Sequence, residues 1–510
     1  MPSLLPVLLA VCTLAGGCAT QPGYVRPALG MPSSWSTPAE PAETAGPVGT
    51  APPVPANAGD AGDAGDAGDA GDAWWKALSD PAVDALVSAA LADSPTLAQA
   101  IAHVDEARAA FGGSAAQRLP AVGFTSTAGR GRSLDSGSDS GAGTVTGSSA
   151  SAGLSLSWEL DLFGRVRDTV TARRERLDAR TADARAARLA LAAEVANGVL
   201  AWRGCAFSQQ VQAADIDSRA RTLAMTRNRL AAGFAAAVDE ARAASGLAAA
   251  RTELAARQAQ CERQIHALVA LTGQQGAAVR EQVLVTPGGG ADWFMPAPPA
   301  LALAVPPEVL AAHPKVRAAD REAAAAWADI GAARAARLPR VDLGALLTGN
   351  WMRAAGSTLH ATSWSLAANL AAPLFDGGAG ASAVDTAEAR YRAAVASLAQ
   401  AVRQAAQDIE NALTDAASAA RRMDTTREAV AAARTTFSAT EARWLAGAVS
   451  LFELEDARRQ LAGAEDSAIA ARRDRAQAWV ALIKASGNSA AATTFNLVPQ
   501  PDLLHADAFH

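Results

Sequence analysis

The chain has 510 residues, carries a formal net charge of −6, and is half hydrophobic while only 5% aromatic. Alanine supplies much of that apolar content. With abundant Arg, Glu, Asp, Leu and Gln it favours long helices whose neighbours approach closely. The positive charges are almost all arginine and are scattered, which excludes the concentrated basic face of a nucleic-acid binder.

Leu4 to Leu14 is an apolar run too short to span a bilayer. Ala15, Gly16 and Gly17 lead to Cys18 in an arrangement that resembles a bacterial lipobox. Residues 1–17 are therefore expected to be a signal peptide, and Cys18 the lipidated mature N-terminus. Residues 18–73 are expected to form a lipidated tether and low-complexity linker. From residue 28 this stretch is rich in Pro, Ala and Gly, and it ends in five Gly-Asp-Ala triplets from Gly59 to Ala73, a composition that cannot bury a core. The triplets lack the nine-residue period of glycine-rich calcium repeats, so a solvated spacer is expected. No later segment reaches the roughly 20 apolar residues of a transmembrane helix. Protein contact with a membrane therefore has to be a β-barrel.

From Trp74 the sequence repeats itself. Ser94-Pro95 matches His313-Pro314 and Leu119-Pro120 matches Leu338-Pro339, each at an offset of 219. Arg229-x-x-x-Gly233 matches Arg443-x-x-x-Gly447 and Leu247 matches Leu461, each at 214, while Phe163 pairs with Phe375 at 212. The expected organisation is a first repeat over 74–290, a second over 291–490, and a tail over 491–510.

Each repeat has the same predicted order. A helix over about 81–118, or 306–337, ends at a Leu-Pro breaker. Two strand-like segments follow, 122–132 and 152–163 in the first repeat and 341–353 and 362–373 in the second. Leu154, Leu156, Trp158, Leu160 and Leu162 alternate with Ser155, Ser157, Glu159 and Asp161; Trp364, Leu366, Ala368 and Leu370 alternate with Ser363, Ser365, Ala367 and Asn369. This period of two, apolar outward and polar inward, is the pattern of a membrane barrel strand. The Gly/Ser-rich stretch Ser133 to Ser151 reads as a long extracellular loop. Proline-free stretches over 165–231 and 379–445 then predict helices of about 100 Å each. They turn at Gly233 and Gly447 and return over 238–271 and 450–486 as helical hairpins.

An ordered set of motifs resembles the outer-membrane lipoprotein channels of resistance-nodulation-division efflux systems, of the TolC type. The set comprises Pro22-Gly23-Tyr24-Val25-Arg26-Pro27, Trp74-Trp75 with Asp80-Pro81, Trp158 to Gly164, Arg229-x-x-x-Gly233 with Asp239, and Pro373-Leu374-Phe375-Asp376-Gly377-Gly378. The resemblance implies an α+β membrane protein, a homotrimer with a 12-stranded outer-membrane barrel, four strands per chain, continuing into a long periplasmic helical barrel. It implies a passive conduit exporting drugs or other small molecules, lipid-anchored in the outer membrane, with a periplasmic membrane-fusion adaptor and an inner-membrane pump as partners. A type I protein-secretion channel and a periplasmic coiled-coil scaffold lipoprotein are the rival readings.

No catalytic constellation, metal site or cofactor is expected: the six histidines are scattered, and no His-Glu-x-x-His, Cys-x-x-Cys or phosphate-binding glycine loop is present. Candidate functional residues cluster at the hairpin tips. Arg229, Gly233, Asp239 and Gly447 are expected to meet the adaptor. Glu453 and Asp456, one helical turn apart, are candidates for stacked acidic rings at a periplasmic gate, which would select cations. Trp444 and Arg443 resemble residues that hold the closed state. Ser450 with Glu453 also reads as a capping box, and Asp239 as a local helix-end group. Finally, Cys205 and Cys261 are equidistant from the tip, since (205 + 261)/2 = 233. They are therefore level in an antiparallel hairpin and are expected to pair in an oxidising compartment.

Overall fold

The computed structural model describes residues 21–28, 30, 33–36, 73–135, 143–287, 294–299, 303, 305–354 and 357–488. The expected signal peptide, Cys18, the linker from 37 to 72 and the tail 491–510 lie outside the described residues. A short 3-10 helix, Trp74–Leu78, precedes α1 (Pro81–Asp93), α2 (Pro95–Ala116), β1 (Ala121–Asp135) and β2 (Gly143–Leu160). Then come α3 (Arg165–Ala231), α4 (Ala237–Thr272) and α5 (Gly276–Val283). The second half repeats the order with α6 (Pro306–Ala312), α7 (Pro314–Ala335), β3 (Arg340–Ala354), β4 (Ser357–Ala371), α8 (Ala379–Leu445) and α9 (Leu451–Ala485).

The single helix expected at the start of each repeat is two helices. Ser94 and His313 are extended, with ψ of 121° and 126°, because the ring of the following proline disfavours helical backbone before it. The strands are also longer than their apolar pattern. Much of the expected extracellular loop is paired strand, from Ser133 opposite Val145 to Asp135 opposite Gly143. Gly, Ser and Thr carry no hydrophobic signal, yet their backbones complete the ladder as well as any others. Conversely, β2 stops at Leu160, so Leu162 and Phe163 are not strand residues. The Asp161 carboxylate accepts from the amides of Val166 (3.1 Å) and Arg167 (2.6 Å) and turns the chain into α3. Asp376 does the same for the second repeat, accepting from Gly378 (2.9 Å) and Gly380 (2.7 Å).

The chain divides into two compact units. The first (residues 1–29, 100–183 and 317–401) contains the antiparallel sheet in the order β1-β2-β3-β4. On one face Val122, Phe124, Leu154, Trp364, Leu366 and Leu370 are exposed; Gly, Ser, Thr and Asn dominate the other. A solvated sheet has no reason to leave such a face bare, and a membrane strand does. Among the described residues no single helix is long and apolar enough to cross a membrane. Below the sheet α3 and α7 are laced by ion pairs: Arg321 to Glu175 (3.0 Å), Arg180 to Glu322 (2.8 Å) and Arg176 to Asp329. The segment 21–26 is clipped onto α7. The Tyr24 hydroxyl donates to Asp320 (2.9 Å), Arg26 pairs with the same carboxylate (3.5 Å), Gln21 donates to the Trp327 carbonyl (2.8 Å), and the Trp327 indole donates to the Pro22 carbonyl (2.9 Å). The Tyr and Arg of the Pro-x-Tyr-x-Arg-Pro motif thus share one acceptor.

The second unit (30–99, 184–316 and 402–510) has a core of Leu86, Val87, Val199, Leu200, Ile265, Leu268, Val480 and Ile483. Trp74 packs against Trp75 and Trp479, with ring centroids 5.9 Å apart in each pair. Asp80 caps α1, accepting from Ala82 (3.0 Å) and Val83 (3.4 Å), and its two oxygens take both arms of the Arg203 guanidinium. Both side chains are fully buried. Such a pair fixes how α1 meets α3 rather than adding much stability, since desolvation offsets most of the attraction.

Candidate functional site

The two hairpin tips are built alike. Gly233 and Gly447 have φ of 79° and 74°, a conformation glycine enters without a Cβ penalty. The amide of Phe234 donates to the Arg229 carbonyl (2.8 Å) and that of Gly233 to Leu230 (3.0 Å). Ala448 to Arg443 (2.8 Å) and Gly447 to Trp444 (2.9 Å) repeat the pattern. This is the Schellman closure of a helix end. It explains the repeated glycine, which takes the left-handed conformation four residues after the residue whose backbone carbonyl the closure uses.

One side chain joins the tips. Arg229 reaches from α3 so that its Nη2 lies 3.2 Å from the carbonyls of both Trp444 and Leu445, with its guanidinium 4.5 Å from the Trp444 ring centroid. A cation at the carbonyl end of α8 also meets the negative pole of that helix. Trp444 is buried, 3% exposed, among Leu223, Ala243, Leu247, Leu451 and Leu454. Its place is therefore the core between the two hairpins. Each return helix begins with a local cap. Asp239 accepts from the Ala236 amide (3.3 Å), and Ser450 accepts from the Glu453 amide (3.3 Å). Asp456 is half-exposed and pairs with Arg459 and Gln460, each at 2.8 Å. Glu453 and Asp456 thus stay on the accessible side of α9.

The sequence reading missed the buried side of the same turn. Glu455 and Arg458 are 6% and 3% exposed. Arg458 bonds to Glu455 (2.5 Å), Ser218 (3.0 Å) and Thr222 (3.0 Å), and Asp215 lies 3.8 Å away. Arg219 bridges Asp215 (2.6 Å) and Glu455 (2.5 Å). Burial lowers the Arg458 pKa, and Glu455 and then Asp215 oppose it. The signal was present: Leu451, Leu454, Glu455 and Arg458 fall at i, i+3, i+4 and i+7, the spacing of one buried stripe. Above this network Cys205 and Cys261 are joined, with Cα atoms 5.7 Å apart. Among the described residues no group of three or more His, Cys, Asp or Glu side chains is placed to hold a metal.

Known proteins resemble the chain over most of its length. The model of the outer membrane efflux protein family matches residues 86–274 and 305–488. The pyoverdine export outer membrane protein OpmQ of Pseudomonas aeruginosa is 30% identical over 484 residues, covering 94% of this chain and 96% of the relative. The outer membrane protein OprJ of the same organism is also 30% identical, over 94% of each. The solved outer-membrane channel OprN superposes with a TM-score of 0.77 at 26% identity, covering 93% of this chain and all of that one. The fold is that of trimeric channels in which a β-barrel, four strands from each chain, continues into a helical barrel. Two matches to the family along one chain, a near full-length relative and a shared channel fold lead to one conclusion: the chain belongs to the outer membrane efflux protein family and is the outer-membrane channel of an efflux pump.

Proposed function

We propose that the chain is the passive exit duct for small molecules in a tripartite pump powered by an inner-membrane protein of the resistance-nodulation-division type, and that a periplasmic adaptor grips its hairpin tips. The observation that carries this reading is the pair of like-built tips clamped by Arg229 and Trp444. Around them Phe234 (84%), Val238 (61%), Leu445 (53%) and Phe452 (56%) stand exposed. Apolar side chains left bare at paired helix ends suit a partner's surface. Gly233 and Gly447 form the closures, while Asp239 and Arg229 shape them. The proposed gate uses Glu453 and Asp456 as acidic rings in the trimer, with Arg443 and Trp444 beside them.

Lipidation at Cys18 tethers each chain, three positions before the segment 21–26 that is clipped onto α7. A Cys205–Cys261 disulfide braces the first hairpin. The rival with the same fold is a protein-secretion channel. Relatives named for export of pyoverdine, solvent and toluene favour small molecules. A scaffold without a pore leaves the bare apolar sheet face without a role.

Deleting the gene in its native host and measuring susceptibility to antibiotics, dyes and organic solvents tests the reading. Increased susceptibility, restored by the wild-type chain, is expected. Unchanged susceptibility to every compound with loss of a secreted protein overturns it.

A further inference from the structure

We infer that the outer face of the barrel carries a binding site for the phosphate groups of the outer-leaflet glycolipid, built from Arg130, Arg132 and Arg353. The register places these residues together. Ser148 of β2 is the partner of Arg130 on β1 and of Arg353 on β3. Adjacent strands are about 4.8 Å apart, so the two arginines flank Ser148 at a separation of roughly 10 Å. Arg132 is two residues further along β1, about 7 Å away on the same face. Its guanidinium donates to Thr146 (3.3 Å), the next residue of that face on β2.

The face is the apolar one. Alternation from Val122 and Phe124 leads to Arg130 and Arg132, and alternation from Leu343 and Leu347 leads to Trp351 and Arg353. Height on the barrel agrees. From Val341 to Trp351 is ten residues. At about 3.3 Å per residue and a strand tilt of about 40°, this covers roughly 25 Å of membrane normal, the height of an apolar barrel band. Trp351 therefore sits at the interface where aromatic girdles lie. The arginines stand just beyond it, toward the β1–β2 and β3–β4 turns and away from the helices, which is the external side.

Three exposed arginines on a membrane-facing surface demand a counter-charge. Among the described residues, the positions of β1 to β4 that share this face carry no Asp or Glu. Guanidinium groups bind phosphate bidentately, and such charge-assisted bonds are roughly twice as strong as neutral ones. A ligand with phosphates at headgroup level and acyl chains beside the apolar band matches both halves of the surface. Three copies of the patch surround the trimer.

The test uses detergent-purified trimer and native mass spectrometry, titrating with bisphosphorylated lipid A and with the same lipid dephosphorylated. Wild type is expected to bind the phosphorylated form at least about tenfold more tightly. That preference is expected to collapse in R130Q/R132Q/R353Q and to survive in part when the same positions become lysine. Arg340→Gln on the opposite face removes one charge, as Arg353→Gln does, and is expected to leave the preference intact where Arg353→Gln weakens it. If the triple variant does not assemble into heat-resistant trimers, the Arg353→Gln and Arg340→Gln pair decides. Equal binding of both lipids by wild type, or equal loss in the two single variants, overturns the proposal. Displacement by millimolar inorganic phosphate alone assigns the patch to a free anion and likewise overturns it.

Discussion

The guanidinium of Arg229, on the outgoing helix of the first hairpin, stacks 4.5 Å from the ring centroid of Trp444, the residue that closes the second. The same group donates to two carbonyls at the end of α8, each at 3.2 Å. A helix end is thus neutralised, an aromatic covered and two hairpins joined by a single side chain.

Arg229→Ala removes the stacking and two charge-assisted bonds, which together hold the tips by about 1–3 kcal/mol. Higher and more frequent single-channel conductance in planar bilayers is expected, with increased uptake of a large antibiotic by whole cells. Arg229→Lys keeps the charge but not the planar fork, so an intermediate effect is expected. The contribution of Asp456 is read from Asp456→Ala, for which reduced cation selectivity and weaker block by multivalent cations are expected, with folding unchanged.

The buried network at Asp215, Arg219, Glu455 and Arg458 sets a different expectation. Truncating one partner leaves an uncompensated buried charge, so Glu455→Ala or Arg458→Ala should each destabilise the fold by about 3–5 kcal/mol. Replacing Glu455 and Arg458 together by leucine and methionine should cost less than the two single changes summed. Thermal unfolding of the four proteins in detergent measures this, and an additive double variant shows the network to be uncoupled.

Cys205 and Cys261 are 56 residues apart in sequence, which by the chain-entropy account corresponds to about 4 kcal/mol of stabilisation. Non-reducing peptide mapping of envelope-purified protein is expected to recover the two cysteines in one linked species. The C205S/C261S variant is expected to unfold at lower temperature while leaving conductance unchanged, since the bond lies far from the tips.

His313, the extended residue before Pro314, is 8% exposed, and its pKa is lowered to about 4, chiefly by burial, then by Lys315, with Asp408 opposing. The imidazole is therefore neutral in the folded chain and charged below its ordinary pKa of about 6.5 in the unfolded one. The sign follows: full stability lies above about pH 6.5 and is lost as pH falls toward 4, by about 3 kcal/mol per chain. His313→Gln is expected to flatten this dependence between pH 7 and 4 in thermal melts.

The segment before the helices offers a local test. Removing the shared acceptor by Asp320→Ala frees Tyr24 and Arg26 at once. Faster proteolysis near residue 26 is expected, with the trimer intact.

Periodicity and punctuation determined most of the fold. Alternating Leu, Ser and Trp fixed the two faces of β2 and β4, because side-chain direction along a strand has period two whatever it pairs with. Long proline-free runs between glycines fixed α3 and α8 to the residue, because proline and αL glycine act on the backbone locally. The break before Pro95 and Pro314 obeys an equally local rule. Ladder length, however, was decided by pairing: Ser133 to Asp135 are strand because Gly143 to Val145 lie opposite. At the tips the sequence marked Gly233, Gly447 and Trp444. Only packing turned Trp444 inward, brought Arg229 onto it, and buried Glu455 and Arg458 while Glu453 and Asp456 stayed outside. Charge alone carries no direction; a neighbouring helix supplies it, by deciding which side of α9 loses its water.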